Sequence, residues 1–278
     1  MQFIKRQDPS TGEEVSLSYK DYGKGKPIVL IHGWPLSKDM WEYQIDDLIE
    51  AGYRVVKYDR RGFGKSSKPW SEYDYDTLTD DLHAIIEQLD LRDVTLAGFS
   101  MGGGEAVRYV SKYGTDRVAK IALISSVTPF MLKTEDNPDG VDQEVFDGMN
   151  EKILEDRIGF LDDFGKDFFG VSLINHPVSS PLLEYYRNLA SVALPRATVK
   201  CAEEFATTDF REDLKKIKIP TLIIHGDADK TVPIASSGNL TFQMIPHARY
   251  LVYESAPHGL FYTNKKELNR DLIEFLGE

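Results

Sequence analysis

Gly98-Phe99-Ser100-Met101-Gly102 lies between the apolar run Val94-Thr95-Leu96-Ala97 and a helix-like run that begins near Met101. Strand, then Gly-x-Ser-x-Gly, then helix is the context of a nucleophile elbow: a serine on a tight turn, its hydroxyl raised above the end of a sheet. A Cβ at Gly98 or Gly102 would crowd the neighbouring strand and helix. The following helix turns its free N–H groups and the positive end of its dipole toward the same point. The pentapeptide by itself also serves as a plain structural turn. Here its flanks, and the order of the partner residues downstream, point to Ser100 as a nucleophile.

Outward from this stretch the first third of the chain alternates between strand and helix patterns. Residues 15–22 alternate like an edge strand, and Pro27-Ile28-Val29-Leu30-Ile31-His32 is a continuous apolar run of the buried parallel type. Ser37 is a candidate cap for a helix carrying Met40, Trp41, Ile45, Leu48 and Ile49, which Gly52 ends before a strand over residues 53–58. Thr77 is the expected cap of the next helix, with Leu78, Leu82, Ile85, Ile86 and Leu89 on one face. After the elbow come a helix to about Tyr113 and a strand over residues 119–124. This alternation predicts an α/β fold with a mostly parallel sheet flanked by helices. Between residues 130 and 216 the apolar runs (145–154, 158–169, 182–189 and 199–205) are helical and no strand is evident. They predict a helical cap, inserted after the sixth strand, over a core made of residues 1–129 and 217–278. Strand patterns resume over residues 220–225 and 248–253, and a last helix is expected from about Lys265 to Leu276.

The chain has 278 residues and a formal net charge of −12. So acidic a balance argues against a nucleic-acid partner. No window reaches transmembrane length, and the first eight residues lack the apolar core of a signal peptide, so a cytoplasmic protein with no membrane partner is expected. Cys201 is the single cysteine, which excludes an internal disulfide and a cysteine-based metal site; it reads as a small buried apolar residue. No clustered His/Asp/Glu set points to a metal, and no cofactor is expected. Asp59-Arg60-Arg61-Gly62-Phe63-Gly64-Lys65-Ser66 superficially resembles a phosphate loop but has neither the P-loop nor the dinucleotide spacing; it reads as a structural turn.

A serine hydroxyl needs a base to accept its proton, and the base needs a carboxylate to hold its tautomer. In this architecture both follow late strands, in the order Ser, acid, His. The strand ending at His225 runs into Gly226-Asp227-Ala228-Asp229. Asp229 lies further into the loop and is favoured as the acid, whereas Asp227 reads as a turn brace. His258, in Ser255-Ala256-Pro257-His258-Gly259, follows the last strand and is the expected base; the other five histidines lie on a helix, on polar loops or at strand ends. The tetrahedral intermediate needs two N–H donors. Met101 supplies one, and Trp34, in His32-Gly33-Trp34-Pro35, the other. Pro35 restricts Trp34 to extended geometry and so aims its carbonyl; the alternative is a simple turn proline. Val127, Phe130, Met131 and Thr231 are candidate pocket residues from their loop positions.

Taken together, these residues resemble the α/β-hydrolase fold over nearly the whole chain. Within it they are most similar to the bacterial aryl esterases and cofactor-free non-haem haloperoxidases, or perhydrolases. The stretches carrying that likeness are His32-Gly33-Trp34-Pro35-Leu36, Tyr58-Asp59-Arg60-Arg61-Gly62-Phe63-Gly64-Lys65-Ser66, Gly98-Phe99-Ser100-Met101-Gly102-Gly103-Gly104-Glu105, Arg117-Val118-Ala119-Lys120 and Ala256-Pro257-His258-Gly259. The resemblance implies Ser100, Asp229 and His258 as the triad, Trp34 and Met101 as oxyanion donors, and a frequent tendency to homo-oligomers. Proline after the oxyanion tryptophan resembles the perhydrolase type, in which hydrogen peroxide replaces water in attack on the acyl-enzyme and the peracid then oxidises halide in solution. The expected activity is hydrolysis of small aryl or alkyl carboxylic esters, with perhydrolysis. Alternatives are a lactonase or lactam amidase using the same triad, or a hydrolase-like binding protein that senses a small ligand. About residues 173–198, in the cap, match that branch less well.

Overall fold

The computed structural model describes residues 2–278. Eight strands form one sheet: β1 (Gln2–Gln7), β2 (Glu14–Tyr22), β3 (Pro27–Ile31), β4 (Arg54–Tyr58), β5 (Val94–Phe99), β6 (Val118–Ile124), β7 (Thr221–Gly226) and β8 (Arg249–Tyr253). Their spatial order is β1-β2-β4-β3-β5-β6-β7-β8. The β1–β2 and β2–β4 pairs are antiparallel and all the others parallel. Residues 15–22 are therefore not the edge of the sheet. β1 pairs with residues 14–19, Gln2 opposite Tyr19 through Gln7 opposite Glu14.

The central strands read as unbroken apolar runs because both faces of the sheet are covered. Val29, Ile31, Val56, Leu96, Ile121, Leu123 and Ile223 point into one core with the inner faces of α2 (Tyr75–Gln88) and α3 (Met101–Tyr113). Ile28, Leu30, Val55, Ala97, Ala122, Ile124, Leu222 and Ile224 point into the other, against α1 (Glu42–Glu50) and the C-terminal helix Lys265–Gly277. The alternation follows the period of two along a strand. Asp74, not Thr77, caps α2: its carboxylate accepts the Thr77 N–H at 2.9 Å, so the helix begins three residues earlier than its apolar pattern indicates.

Between β6 and β7 the described residues form four helices: α4 (Gln143–Phe168), α5 (Ser180–Ser191), α6 (Pro195–Thr207) and α7 (Arg211–Leu214). α4 is broken at Asp156 (φ −146°, ψ 87°), whose carboxylate caps the second half by accepting the Ile158 and Gly159 N–H groups at 3.1 and 2.9 Å. This break separates the apolar runs 145–154 and 158–169. We propose that residues 130–216 form the cap and the remainder the core. The two are joined by buried polar contacts: the Trp34 indole N–H donates to the Thr198 carbonyl at 2.8 Å, and Leu194 N–H to the Gly62 carbonyl at 2.8 Å. After β7 follow α8 (Gly238–Met244), α9 (Leu260–Thr263) and α10 (Lys265–Gly277). No helix among the described residues is long and apolar enough to cross a membrane.

β3 lies between β4 and β5, so the chain leaves β3 toward one side of the sheet and returns to the other. The loops after β3 and β5 diverge there and leave a crevice at the carboxyl edge, the usual place for a ligand in an open parallel sheet. Ile31 and Gly98 are register partners, which brings the ends of these two strands, and the residues that follow, side by side.

Candidate active site

Ser100 follows directly on β5 with φ 54° and ψ −120°, a left-handed backbone conformation unusual for a residue with a Cβ. Close packing holds it there. A Cβ on Gly98 would sit 2.3 Å from the Gly102 carbonyl oxygen, and one on Gly102 would sit 2.6 Å from the Ile31 carbonyl oxygen. Strand and helix thus meet without clearance, and the turn between them presents Ser100 at the edge of the sheet. The cost of a strained residue at such a point is of order 1–3 kcal/mol.

His258 Nε2 lies 3.0 Å from Ser100 Oγ, and His258 Nδ1 lies 2.6 Å from Asp229 Oδ2. All three residues are buried. The structure thus brings together the three residues expected from the order of motifs, across sequence separations of 158 and 29 residues. The carboxylate of Asp229 accepts only, so His258 Nδ1 carries a proton and, in the neutral ring, Nε2 presents its lone pair to the serine hydroxyl. The imidazole is clamped by rings: Phe99 and Phe168 each have centroids 4.9 Å away, the latter edge-on at 85°. Gly259 N–H donates to the Phe168 carbonyl at 2.7 Å and ties the His258 loop to the end of α4.

Asp229 Oδ1 accepts the N–H groups of Thr231 and Val232 at 3.0 and 2.8 Å, which leaves Oδ2 for His258. Burial alone would raise its pKa. The His258 charge and hydrogen bonds from His225 and His258 outweigh burial and hold the carboxyl well below the usual carboxylate range. Asp227 braces instead, accepting the Ser255 N–H at 2.6 Å and so linking the loop after β7 to the loop that carries His258. His225 was legible only as a strand end. It lies in the same cluster, 2.9 Å from the Val232 carbonyl and 3.4 Å from Asp229 Oδ2. Its five-residue frame, His225-Gly226-Asp227-Ala228-Asp229, puts it four positions before the acid, a spacing visible in the sequence but not interpretable without the loop's path. Two other histidines lie elsewhere: His83 stacks on Tyr113 at 3.8 Å, and His247 Nε2 lies 3.2 Å from the Ile219 carbonyl.

Met101 begins α3, where the first N–H groups have no partner within the helix. Among the described residues the Trp34 N–H has no hydrogen-bond partner either. Gly33 allows the Trp34 loop to approach: a Cβ there would stand 2.6 Å from the Phe99 ring and 3.0 Å from Ser100 Cβ. Ser100 and Trp34 open onto a cavity of about 710 Å³ between core and cap. Val127 and Thr231 line it as expected; Phe130 and Met131 do not. Phe130 instead carries the Arg211 guanidinium over its ring at 5.3 Å, and Met131 is buried in the hydrophobic cluster on the α2 and α3 side of the sheet. Most of the cavity wall comes from cap residues that the sequence did not mark, among them Phe146, Met149, Phe160, Phe164 and Phe205. Pro35 stands outside this cavity, in a smaller cleft with Leu161, Phe168 and Tyr186, so any influence on the site passes through the backbone of Trp34. The Trp34–Pro35 peptide is cis.

The arrangement contains parts of an acyl-transfer centre: a hydroxyl hydrogen-bonded to an imidazole, and a carboxylate orienting that imidazole. Comparisons with known proteins agree with the fold. The family model described as alpha/beta hydrolase fold matches residues 26–265. A non-haem chloroperoxidase of Kitasatospora aureofaciens is 44% identical over 271 residues, covering 97% of this chain and 98% of the relative. A bifunctional esterase/perhydrolase of Acinetobacter calcoaceticus is 37% identical over 270 residues, covering 96% and 98%. The crystal structure of a bromoperoxidase from Bacillus anthracis superimposes with a TM-score of 0.95 at 48% identity, covering 100% of this chain and 99% of that one. With the fold, the strand-end geometry and these likenesses in agreement, the chain belongs to the α/β-hydrolase fold family, in the branch that holds non-haem haloperoxidases and esterases.

Proposed function

We propose that this chain is a serine esterase for small carboxylic esters that also forms peracids from hydrogen peroxide. The observation that carries the reading is the line Ser100 Oγ, His258 Nε2 and Nδ1, Asp229 Oδ2, at 3.0 and 2.6 Å, with Ser100 opening onto a mainly apolar cavity of about 710 Å³. The chloroperoxidase and esterase/perhydrolase likenesses support the choice of reaction.

Ser100 Oγ attacks the ester carbonyl as His258 Nε2 takes its proton. Asp229 keeps the imidazole in the required tautomer and stabilises the imidazolium that forms. The oxyanion gathers at the N–H groups of Met101 and Trp34, whose donors stand ready before charge develops. His258 then protonates the departing alcohol and leaves an acyl-Ser100. Water deprotonated by His258 releases the carboxylic acid; hydrogen peroxide in the same position releases the peracid and restores the serine hydroxyl. Neither branch needs a redox centre, since the peroxide O–O bond stays intact in the acyl transfer. Pro35 contributes by aiming the Trp34 carbonyl toward the incoming nucleophile.

The test uses purified protein, p-nitrophenyl acetate and hydrogen peroxide, with release of nitrophenol and formation of peracetic acid followed together. Both products are expected, and both disappear in Ser100→Ala. A protein that turns over neither ester nor peroxide contradicts the proposal. Fast hydrolysis with no peracid would leave a plain esterase and reduce Pro35 to a turn residue.

A further inference from the structure

The segment after β4, read from sequence as a structural turn, places Arg60 beneath the loop that carries Trp34, and the contacts between them have a direction. Arg60 N–H donates to His32 Nε2 at 3.0 Å. A backbone N–H can only donate, so Nε2 holds a lone pair, and the neutral ring carries its proton on Nδ1. His32 Nδ1 lies 2.9 Å from the Gly33 carbonyl oxygen, which can only accept. The same oxygen also receives the Leu36 N–H at 3.1 Å. Two donors thus pin the Gly33 carbonyl. The Gly33–Trp34 peptide is not among the cis bonds, and in a trans peptide the C=O and N–H point to opposite sides. Pinning the carbonyl on the protein side therefore turns the Trp34 N–H to the other side, where Ser100 stands.

A second layer fixes His32 itself. Arg60 Nη2 donates to the His32 carbonyl at 2.7 Å, and Arg60 Nε donates to Glu105 Oε1 at 2.6 Å. Tyr58 completes the carboxylate, its hydroxyl donating to Glu105 Oε2 at 2.7 Å. Glu105 stands on the first turns of α3, four residues after Met101. His32, Arg60 and Glu105 are 0–1% exposed. One network therefore holds both elements that flank Ser100: the helix α3 through Glu105, and the Trp34 loop through His32. Burial, and then the Arg60 charge, keep the His32 pKa well below its ordinary value, so the ring stays neutral.

We infer that His32, held by Arg60 and Glu105, is a positioning residue for catalysis: it fixes the tautomer that locks the Gly33–Trp34 peptide with its N–H facing the oxyanion. The inference rests on the reading of Ser100 as nucleophile. Without this lock the peptide is free to turn its carbonyl toward the developing negative charge, which removes a donor and adds a repulsive dipole. Loss of one oxyanion donor lowers kcat by about 100- to 1,000-fold in a hydrolase.

Two variants and one measurement on the unaltered protein test this. His32→Leu fills the space but removes both bonds; His32→Gln offers an amide N–H to Gly33 and an amide oxygen to the Arg60 N–H. With p-nitrophenyl acetate, His32→Leu is expected to lose about 100-fold in kcat with KM nearly unchanged, and His32→Gln to recover most of the loss. Affinity for a trifluoromethyl ketone, whose adduct with Ser100 carries the oxyanion, falls in parallel with kcat. A folded His32→Leu protein with unchanged kcat overturns the inference, as does a loss in KM alone. Should His32→Leu fail to fold, nitrogen-15 NMR of the unaltered protein decides: a protonated Nδ1 and bare Nε2 on His32 support the lock, and the opposite tautomer overturns it. The underlying reading fails separately, if a fluorophosphonate does not label Ser100 in the unaltered protein.

Discussion

The core and the cap build the same cavity in different ways. The core contributes residues held by backbone geometry. Ser100 is set by a turn with no room for a Cβ on either side, Asp229 by two backbone N–H groups, and His258 by a loop tied to Phe168. The cap contributes rings held by one another. Phe160 stacks on Phe164 at 5.5 Å and Phe146 meets Phe205 edge-on at 6.4 Å, and Phe164 and Phe205 in turn pack edge-on against Trp34 of the core at 5.3 and 5.4 Å. Displacement of a backbone-held group by about 1 Å costs on the order of 100-fold in rate. A repacked apolar wall changes only which acyl group fits, because apolar contacts discriminate weakly. Reaction and selectivity are therefore written in separate parts of the chain.

Substitutions in the core break this contrast most sharply. Ser100→Ala is expected to lower kcat for p-nitrophenyl acetate on the order of a millionfold while leaving the folded structure in place, as judged by circular dichroism. Asp229→Asn comes next, with a fall of about 10,000-fold, because an amide beside His258 Nδ1 favours the wrong tautomer. In the cap, Phe205→Ala sharpens the contrast from the other side. kcat/KM for a phenylacetyl ester falls about tenfold, the acetyl ester changes little, and the rate of fluorophosphonate labelling at Ser100 stays near that of the unaltered protein. If Phe205→Ala instead removes activity on every ester alike, the separation of reaction from selectivity is wrong.

Smaller effects are expected where the two parts meet and where the core is stapled. Pro35→Leu should lower the ratio of peracid to carboxylic acid by roughly threefold, under 1 kcal/mol in relative barriers, measured with acetyl ester and peroxide in one vessel. In the core, Arg61 joins Asp8 after β1 to Asp81 on α2, at 2.6 and 2.7 Å. Burial would raise the Asp8 pKa, but the bonds to Arg61 and Ser10 outweigh it and bring the value from 3.8 down to about 2. A depressed carboxyl stabilises the fold above its unfolded pKa and loses that contribution as pH falls through the folded value. Asp8 therefore contributes fully above about 4 and loses its contribution toward pH 2. Asp8→Asn should lower stability at neutral pH and flatten the acid decline in that window, read from urea unfolding across pH.

The same contrast governs what could be read from the sequence. Ser100, Asp229 and His258 were legible because each is the residue a strand delivers to the carboxyl edge of the sheet, and their order along the chain is fixed by the order of the strands. Trp34 and Met101 could be proposed as donors from the sequence because each adjoins a motif in the chain: Met101 follows Ser100, and Trp34 follows Gly33. The cap rings were not. Phe146, Phe160, Phe164 and Phe205 recur at helical spacing as any packed face does, and only the fold of α4 against α6 turns them toward Ser100. β1 was missed because its alternation is short and its partner, β2, carries the stronger pattern. His225 and Arg60 were also missed as parts of the site. His225 reaches the Val232 carbonyl and Arg60 donates to the His32 carbonyl, and such backbone partners leave no mark in residue type.

The most direct test of the central claim is mass spectrometry after treatment with a fluorophosphonate. A single adduct on Ser100, formed with one equivalent of reagent and absent in His258→Ala, is the predicted result. No adduct, or an adduct on another residue with Ser100 unmodified, would contradict the assignment of this site.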